Sequence, residues 1–300
     1  FLRRLSDIRT LRALDGAELA AIAPACDVLV VSGLWKNALL EQAQRLRFVQ
    51  SVSAGVNLFD QALFRGKGVR LASAQGANEK AVAEHALALM LSLTRHLHLA
   101  RDRQREAFWR PMLSDPLARE QESGGRTVVV VGFGRIGQRF GRLARMLDCR
   151  VIGVRRDPRP APDSADEVVS TADLLRMLPQ ADVVVLTCPL TPETEGLIGP
   201  AAFAAMKRSA HLINVARGAV VDEPALVEAL RAGAIAGAAL DVTVEEPLPS
   251  HSPLWAMPNV IITPHSAGET GLYERNVIDL LEENLDRLWR GEGALRNAVV

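Results

Sequence analysis

Aromatic residues and cysteine are scarce in this chain, and each shortage argues against a class of protein. Of the 300 residues, 4% are Phe, Trp or Tyr, and no basic segment with interleaved aromatic side chains occurs, so we expect no nucleic-acid partner. The three cysteines are an odd number without the spacing of a metal site. They argue against a disulfide framework and a metal centre, and they favour a reducing, cytoplasmic compartment.

An excess of charge and long apolar runs are also missing. Lys plus Arg and Asp plus Glu both number 35, so nothing indicates a polyanionic partner. The longest largely apolar stretch, 86–93, is far too short to span a bilayer, so no membrane segment is expected. No apolar signal-peptide core follows Phe1. The length and the 48% hydrophobic content allow two domains with adequate cores.

Strand-like and helix-like segments alternate along the chain, which predicts an α/β fold with doubly wound parallel sheets. Strands are expected at 27–31, 48–51, 69–72, 127–131, 150–154, 181–186, 211–215, 235–241 and 260–263. Helices are expected at 16–22, 38–46, 138–147, 171–177, 224–232 and 272–289, with one long helix over 79–100. We expect the last helix to return to the first unit, so that 1–95 with 270–300 form one domain and 96–269 the other.

Three glycines mark the most informative turn. Gly132, Gly134 and Gly137 follow a β-branched run and precede helical apolar spacing. Gly132 permits a tight turn, Gly134 lets the backbone approach a pyrophosphate, and Gly137 lets helix and strand pack closely, while the helix N-terminus supplies N–H groups to the phosphates. A glycine-rich turn without a ligand is the alternative. The strand that follows favours a Rossmann dinucleotide-binding domain, with Arg135 and Ile136 as further candidate contacts.

Two arginines end the second strand of that domain, where NAD-binding units carry an acidic residue for the adenosine ribose. Arg155 and Arg156 stand there, and Asp157 comes only after both. A guanidinium binds a 2′-phosphate bidentately, which favours NADP(H) as the cofactor. The alternative is NAD(H), with two solvated arginines and with Asp157 serving the ribose after a small register change.

Further polar residues follow the later strands. Arg217, Asp241 and His265 each end a strand-like run, and Glu246 lies in the loop after Asp241. Because ligands bind outside the carboxyl ends of parallel strands, these side chains are expected to converge. The histidines without such partners are interpreted as structural or solvated; they are His85, His96, His98, His211 and His251.

Several segments in succession carry a family resemblance. They are VVVVGFGRIGQRFGRLARMLDCRVIGV, ADVVVLTCPLTPETEGLI, HLINVARGAVVDEPALVEAL, AGAALDVTVEEPLP and NVIITPHSAG, with SVSAGVNLFD and QGANEKAVAEHALALML upstream. In this order they resemble the motifs of the D-isomer-specific 2-hydroxyacid dehydrogenases. The resemblance covers the chain from about residue 45 to 275, and it implies that 1–95 with 270–300 form the substrate domain and 96–269 the dinucleotide-binding domain.

The resemblance implies an oxidoreductase with Arg217, Glu246 and His265 as its catalytic residues. Arg217 would hold the carboxylate and the carbonyl oxygen of a 2-oxo acid. His265 would donate a proton to that carbonyl during reduction and accept it during oxidation. Glu246 would hydrogen-bond to His265 and fix its tautomer. Thr243 and Val244 replace aromatic and acidic residues often found in this loop, so the resemblance does not determine the shape of the loop.

The same resemblance implies further binding residues. Backbone amides of Ala54, Gly55 and Val56 correspond to the family's carboxylate-binding loop. The segment through Trp109 matches the region through which the family forms two-fold dimers, so a homodimer is expected. Candidate cofactor contacts after the later strands are Thr187, Cys188, Pro189, Val215, Ala216, Asp241 and Gly268.

Within the family, the chain most resembles the short glyoxylate and hydroxypyruvate reductases, through SPLWAMPNVIITPHSAG and the arginine pair. A small 2-oxo acid is therefore the expected substrate. A short 3-phosphoglycerate dehydrogenase is the alternative enzyme, although no pair of phosphate-binding cations occurs in 51–57. A corepressor-like protein that senses NAD(H) without turnover is the alternative from another class.

Overall fold

Strands and helices alternate along the chain in this computed structural model, which describes residues 8–31 and 33–300. The strands are β1 Val28–Val31, β2 Phe48–Ser51, β3 Arg70–Ala72, β4 Thr127–Val131, β5 Arg150–Arg155, β6 Glu167–Ser170, β7 Val183–Leu186, β8 His211–Asn214, β9 Gly237–Leu240 and β10 Val260–Ile262. The α-helices are α1 Gly16–Ile22, α2 Leu39–Gln42, α3 Gln61–Lys67, α4 Glu79–Thr94, α5 Leu97–Arg105, α6 Arg135–Arg145, α7 Leu174–Met177, α8 Pro200–Ala205, α9 Glu223–Arg231 and α10 Tyr273–Trp289. The strands pair in parallel, which confirms the predicted α/β fold.

The smaller unit comprises the described residues up to Asn78 together with Thr270–Val300. Its sheet, in the described part of the chain, consists of β1, β2 and β3 in that order. Helix α10 packs Leu281 and Leu285 into one core cluster with Phe48 of the central strand. The C-terminal helix therefore completes the core of the N-terminal unit.

The larger unit spans Glu79–Glu269, and its described residues form a seven-stranded sheet in the order β10-β9-β8-β7-β4-β5-β6. The residues of β7 and β8 are all buried because hydrophobic clusters cover the sheet. Strand β4 pairs with β5 on one side and with β7 on the other. The strand order reverses at this position, and such a switch point opens the crevice in which α/β sheets bind ligands.

The boundary between the units falls after Asn78 and not near residue 95 as the sequence suggests. The reason is the packing of α4. Its residues Ala86, Leu89 and Met90 belong to the same core cluster as Phe140 of α6. Helix α4 is therefore part of the larger unit, and the roles assigned to the two units stay predictions.

The single helix expected over 79–100 is wrong, because α4 ends at Thr94 and α5 begins at Leu97. His96 between them has φ 51°, a left-handed conformation that interrupts a helix. The Thr94 hydroxyl donates back to the Met90 carbonyl at 2.9 Å. Other differences are smaller: α2 is shorter than the helix expected at 38–46, and α3, α8 and β6 were not predicted.

None of the helices within residues 8–31 and 33–300 has both the length and the apolar character needed to cross a bilayer. The same residues contain no group of three or more His, Cys, Asp or Glu side chains arranged to hold a metal ion.

Candidate active site

The glycine turn between β4 and α6 packs tightly against the loop after β7. Gly132 has φ 94°, and a Cβ built on it would overlap the backbone of Cys188. Thr187 Oγ1 donates to the Gly132 carbonyl at 2.8 Å. A Cβ at Gly137 would lie 2.7 Å from that same carbonyl oxygen. Positions 132 and 137 therefore accept only glycine without a shift of the backbone.

Gly134, in the same turn, borders open space. It is the N-cap residue of α6, no side chain of the described residues caps the helix there, and a Cβ at Gly134 would meet no heavy atom of those residues within 4 Å. Arg135 is exposed and Ile136 is half-buried at this end of the helix. First-turn N–H groups carry partial positive charge and bind anions. An open, uncapped helix N-terminus at the switch point fits the pyrophosphate of a dinucleotide.

The end of β5 carries the arginine pair. Arg155 is the last residue of the strand and is half-buried, whereas Arg156 and Asp157 are exposed. The Asp157 carboxylate binds Arg159, with Oδ2 2.9 Å from Nε and 2.6 Å from Nη2. The acidic residue is thus engaged by a neighbour on its own loop, and the end of the strand presents cations.

Loops after β7, β8 and β10 hold the other candidate cofactor contacts. Burial raises the pKa of the Cys188 thiol to about 11, so this cysteine keeps its proton at neutral pH and is no nucleophile. The neighbours differ in exposure: Val215 and Ala216 are buried, Thr187 and Gly268 are half-buried, and Pro189 is exposed.

Arg217 is presented by a turn that the side chain of Asn214 closes. Asn214 Nδ2 donates to the Arg217 carbonyl at 3.0 Å, and its Oδ1 accepts from the Ala216 amide at 3.0 Å. Arg217 is exposed, and its Nη1 donates to the Ala216 carbonyl at 2.6 Å. A Cβ at Gly218 would overlap the carbonyl group of Thr243. The Arg217 turn therefore packs backbone to backbone against the loop after β9.

Glu246 and His265 meet across two loops. His265 Nδ1 lies 2.7 Å from Glu246 Oε2, and 50% of the His265 side chain is exposed. Glu246 Oε1 accepts from the Thr243 amide at 3.1 Å. Thr243 Oγ1 donates to the Glu245 carbonyl at 2.7 Å. The threonine that departs from the family's pattern thus holds the loop in the shape that directs Glu246 at His265.

Asp241 anchors the turn of His265. Its side chain is 2% exposed, and Oδ1 accepts from the Thr263 hydroxyl at 2.6 Å and from the Ser266 amide at 2.9 Å. Both carboxylate oxygens accept from the Ala267 amide, at 3.1 and 3.0 Å. The Asp241 carbonyl accepts from the His265 amide at 2.8 Å, and His265 has φ 54°. Asp241 therefore holds a left-handed residue in place, and its direct contact with a cofactor stays a prediction.

His85 is a site residue that the sequence does not reveal. It lies on α4, and its Nε2 is 3.0 Å from Thr263 Oγ1 and 3.6 Å from Asp241 Oδ1. The sequence suggests a structural or solvated role for His85, and the structure adds a hydrogen bond to Thr263 and a position close to Asp241. Thr263 is 178 residues away in the chain, so only the fold brings the two side chains together, and no local motif signals the contact.

The expected carboxylate-binding loop follows β2 in the smaller unit. Ala54 and Gly55 are exposed, and Val56 is half-buried. Just before them, the Val52 carbonyl accepts from the Tyr273 hydroxyl at 2.5 Å, which ties the start of the loop to α10. An exposed, anchored loop of small residues is compatible with an anion site made of backbone amides. Its binding role stays a prediction.

Comparison with known proteins identifies the larger unit. Residues 87–267 match the family model described as D-isomer specific 2-hydroxyacid dehydrogenase, NAD binding domain. The matched range contains the glycine turn together with Arg217, Glu246 and His265.

Relatives of known name cover most of the chain. It is 33% identical to the D-3-phosphoglycerate dehydrogenase of Archaeoglobus fulgidus over 94% of this chain and 53% of that protein. It is 33% identical to the glyoxylate reductase of Korarchaeum cryptofilum over 89% of this chain and 81% of that protein. The chain thus spans about half the length of the D-3-phosphoglycerate dehydrogenases that it matches.

A solved structure of similar fold contains a cofactor. It is the NAD complexed form of the D-isomer specific 2-hydroxyacid dehydrogenase from Lactobacillus delbrueckii ssp. bulgaricus, which is 26% identical with a TM-score of 0.84. The superposition covers 100% of this chain and 94% of that chain.

Proposed function

This chain belongs to the D-isomer specific 2-hydroxyacid dehydrogenases, and on that premise we propose that it transfers a hydride between a nicotinamide dinucleotide and a small 2-oxo or 2-hydroxy acid. The observation that carries the proposal is the 2.7 Å contact of His265 Nδ1 with Glu246 Oε2. The Arg217 turn packs on the same loop. An imidazole held by a carboxylate, next to a guanidinium, has the groups needed to bind a 2-oxo acid and protonate its carbonyl oxygen.

Glu246 determines which nitrogen of His265 handles the proton. A carboxylate oxygen only accepts, so His265 Nδ1 keeps its proton within the pair. Nε2 is then the atom that gives a proton to the carbonyl oxygen of the 2-oxo acid during reduction and takes it back during oxidation. The 50% exposure of the His265 side chain leaves it accessible to a ligand.

Arg217 supplies the cation that orients the substrate. Its contact with the Ala216 carbonyl restrains the guanidinium, and a restrained guanidinium binds a carboxylate bidentately with little further loss of entropy. In the proposed reaction Arg217 holds the carboxylate and the carbonyl oxygen of the acid. A nicotinamide cofactor, when bound at the glycine turn, would supply the hydride chemistry at C2 of the acid that Arg217 and His265 hold.

NADP(H) is the preferred cofactor in this proposal, and NAD(H) is the alternative. The support is the end of β5, where Arg155 ends the strand and Asp157 is engaged by Arg159. A 2′-phosphate gains from a guanidinium there and would be repelled by a free carboxylate. The NAD complex of the Lactobacillus protein keeps NAD(H) as the alternative.

Glyoxylate or hydroxypyruvate is the proposed substrate. The relative from Korarchaeum cryptofilum named glyoxylate reductase matches over 81% of its length. The residues 51–57, SVSAGVN, contain no cation that would bind a substrate phosphate. A short phosphoglycerate dehydrogenase-like enzyme is the alternative, favoured by the match to three proteins named D-3-phosphoglycerate dehydrogenase.

A homodimer is also part of the proposal. Phe108, Trp109 and Met112 follow α5 and are 53%, 95% and 93% exposed. Large apolar side chains that cluster in one exposed segment mark an interaction surface. A second copy of this chain is the partner that the family resemblance implies.

Initial rates of NADPH and NADH oxidation test the reaction, with glyoxylate, hydroxypyruvate, pyruvate, phenylpyruvate and 3-phosphohydroxypyruvate as substrates. NADPH-dependent turnover of the two smallest acids supports the proposal. Faster turnover of the phosphorylated acid supports the phosphoglycerate dehydrogenase alternative. Cofactor binding without turnover of any acid contradicts the enzyme and supports a nucleotide-sensing role.

His265→Gln tests the proposed proton transfer. We expect kcat to fall by about 1,000-fold, because general acid catalysis is lost. The dissociation constant for NADPH should change by less than about twofold, since the substitution leaves the glycine turn intact. The control is His251→Gln at an exposed loop histidine, which should keep full activity. Near-normal turnover by His265→Gln would remove this residue from the mechanism.

A further inference from the structure

His85 reaches the turn of His265 from a separate element, and we propose that it is a positioning residue which acts on His265 through Thr263 and Asp241. The inference rests on the proposed function for its kinetic consequence. Its structural basis is the pair of distances from His85 Nε2, 3.0 Å to Thr263 Oγ1 and 3.6 Å to Asp241 Oδ1.

The direction of each hydrogen bond follows from the donors available. An ionised Asp241 only accepts, so the Thr263 hydroxyl spends its single proton on Asp241 Oδ1 at 2.6 Å. Thr263 Oγ1 can then only accept from the imidazole. His85 therefore carries a proton on Nε2, and the bonds run in one direction from His85 through Thr263 to Asp241.

The receiving end of this chain of bonds is the anchor of the catalytic turn. The Asp241 carboxylate accepts from the amides of Ser266 and Ala267, and its carbonyl accepts from the amide of His265. His265 has φ 54°, a conformation that non-glycine residues keep only where their surroundings determine it. Movement of the Asp241 side chain would therefore displace the backbone that orients His265.

His85 is suited to restrain Asp241 because helix α4, on which His85 lies, is firmly packed. Ala83 and Ala86, which flank it on α4, are fully buried in the core cluster of the sheet. The His85 side chain is 24% exposed and Asp241 is 2% exposed, so the contact is largely shielded from water. Hydrogen bonds in such a setting strengthen one another, and their geometry is well defined.

Two substitutions at His85 separate a positioning role from general packing. His85→Phe keeps a ring but removes the donor, and His85→Gln keeps an N–H donor near the place of Nε2. We expect kcat to fall about 10-fold in His85→Phe, while KM for the 2-oxo acid changes less than about twofold. His85→Gln should recover at least about half of the wild-type kcat. The control is His98→Phe. In the described part of the chain, the Nδ1 atom of His98 has one hydrogen-bond partner, the Ser92 carbonyl at 3.1 Å.

Nuclear magnetic resonance of protein with ¹⁵N-labelled histidine gives a readout that needs no turnover. Wild-type His85 should show the Nε2–H tautomer, and Thr263→Val should change its signal. The ring signals of His265 should move in His85→Phe and stay in place in His98→Phe. A merely structural role would change the melting temperature without this selective shift.

The outcomes distinguish the two hypotheses. Loss of kcat in His85→Phe with recovery in His85→Gln and a displaced His265 signal supports the inference. An unchanged kcat, no recovery by glutamine or an unmoved His265 signal overturns it. If the wild-type protein turns over no 2-oxo acid, the proposed function fails, and the His265 signal alone decides whether His85 positions the turn.

Discussion

Gly132 and Gly134 lie two residues apart in one turn, and their surroundings differ completely. Gly132 has φ 94° and no room for a Cβ, whereas Gly134 has an ordinary φ of −87° and open space. One glycine is therefore required by the protein itself. The other leaves space that a ligand can use.

This contrast predicts opposite results for two alanine substitutions. Gly132→Ala should lower the free energy of unfolding of the larger unit by about 2–4 kcal/mol, since it adds strain and a backbone overlap. Gly134→Ala should change it by less than about 1 kcal/mol, yet weaken NADPH binding about 10-fold by blocking the approach to the helix N-terminus. Urea denaturation and fluorescence titration measure the two effects. Unchanged affinity in Gly134→Ala would argue against a cofactor at this turn.

The two ends of β5 offer a matched test of cofactor choice. Arg155 ends the strand near the switch point, and Arg150 begins it and contacts Glu167 and Gln180. Arg155→Ala should raise the dissociation constant for NADPH about 10-fold and that for NADH less than about twofold, because only NADPH carries a 2′-phosphate. Arg150→Ala should alter neither constant. Equal weakening of both cofactors in Arg155→Ala would refute the 2′-phosphate contact.

At this scale the sequence points to reactive groups but not to the groups that hold them. Arg217, Glu246 and His265 could be proposed from the sequence because each lies at or after the end of a strand-like run and matches a motif. Thr263 and His85 could not, because their contact joins residues 178 positions apart. For Asp241 the sequence predicts a cofactor contact but not the hydrogen bonds to backbone amides. Those bonds depend on the path of the turn after β10.

Among the elements, predictability follows burial. Strand β4 could be placed to the residue because TVVVV is a continuous β-branched run covered on both faces. Strand β6, EVVS, lies at the edge of the sheet and has a single buried residue, so no long apolar run indicates it in the sequence. The break between α4 and α5 was missed because the composition of 79–100 favours a helix throughout, and nothing in that composition signals the left-handed conformation of His96.

Helix α10 offers a stability test. Asn284 is fully buried, its Nδ2 donates to Gln50 Oε1 at 3.0 Å, and its Oδ1 accepts from the Arg296 amide at 2.7 Å. Asn284→Ala leaves these groups without partners and should lower the free energy of unfolding of the smaller unit by about 2–3 kcal/mol. The control is Asp286→Ala, which removes an exposed ion pair on the same helix and should have little effect. Equal melting temperatures of Asn284→Ala and the wild-type protein would contradict the stabilising role of the Asn284 hydrogen bonds.

For the molecule as a whole, the discontinuous arrangement was predictable from the last amphipathic segment, and the exact boundary was not. Tertiary contacts of Ala86, Leu89 and Met90 determine that α4 belongs to the larger unit. The apolar sequence of the helix does not by itself indicate these contacts. Two separate cores also imply that unfolding need not be a single transition.

Acid should destabilise the larger unit through His211. Burial lowers the pKa of this histidine to about 4, from the ordinary value of 6.5. Between pH 4 and 6.5, His211 binds a proton in the unfolded chain but not in the folded unit. The contribution of His211 to the free energy of unfolding is therefore complete above pH 6.5. It falls as the pH drops towards 4, by at most about 3 kcal/mol. Calorimetry from pH 7.5 to 4 should show a weaker pH dependence in His211→Leu. An identical dependence would assign the acid sensitivity to other groups.

The overlap that a Cβ at Gly218 would create with the Thr243 carbonyl group has a consequence for redesign. The loop that carries Arg217 and the loop that carries Glu246 touch through their backbones, so insertions or enlarged side chains in either loop would displace both. New substrate preference therefore has to be engineered outside this contact.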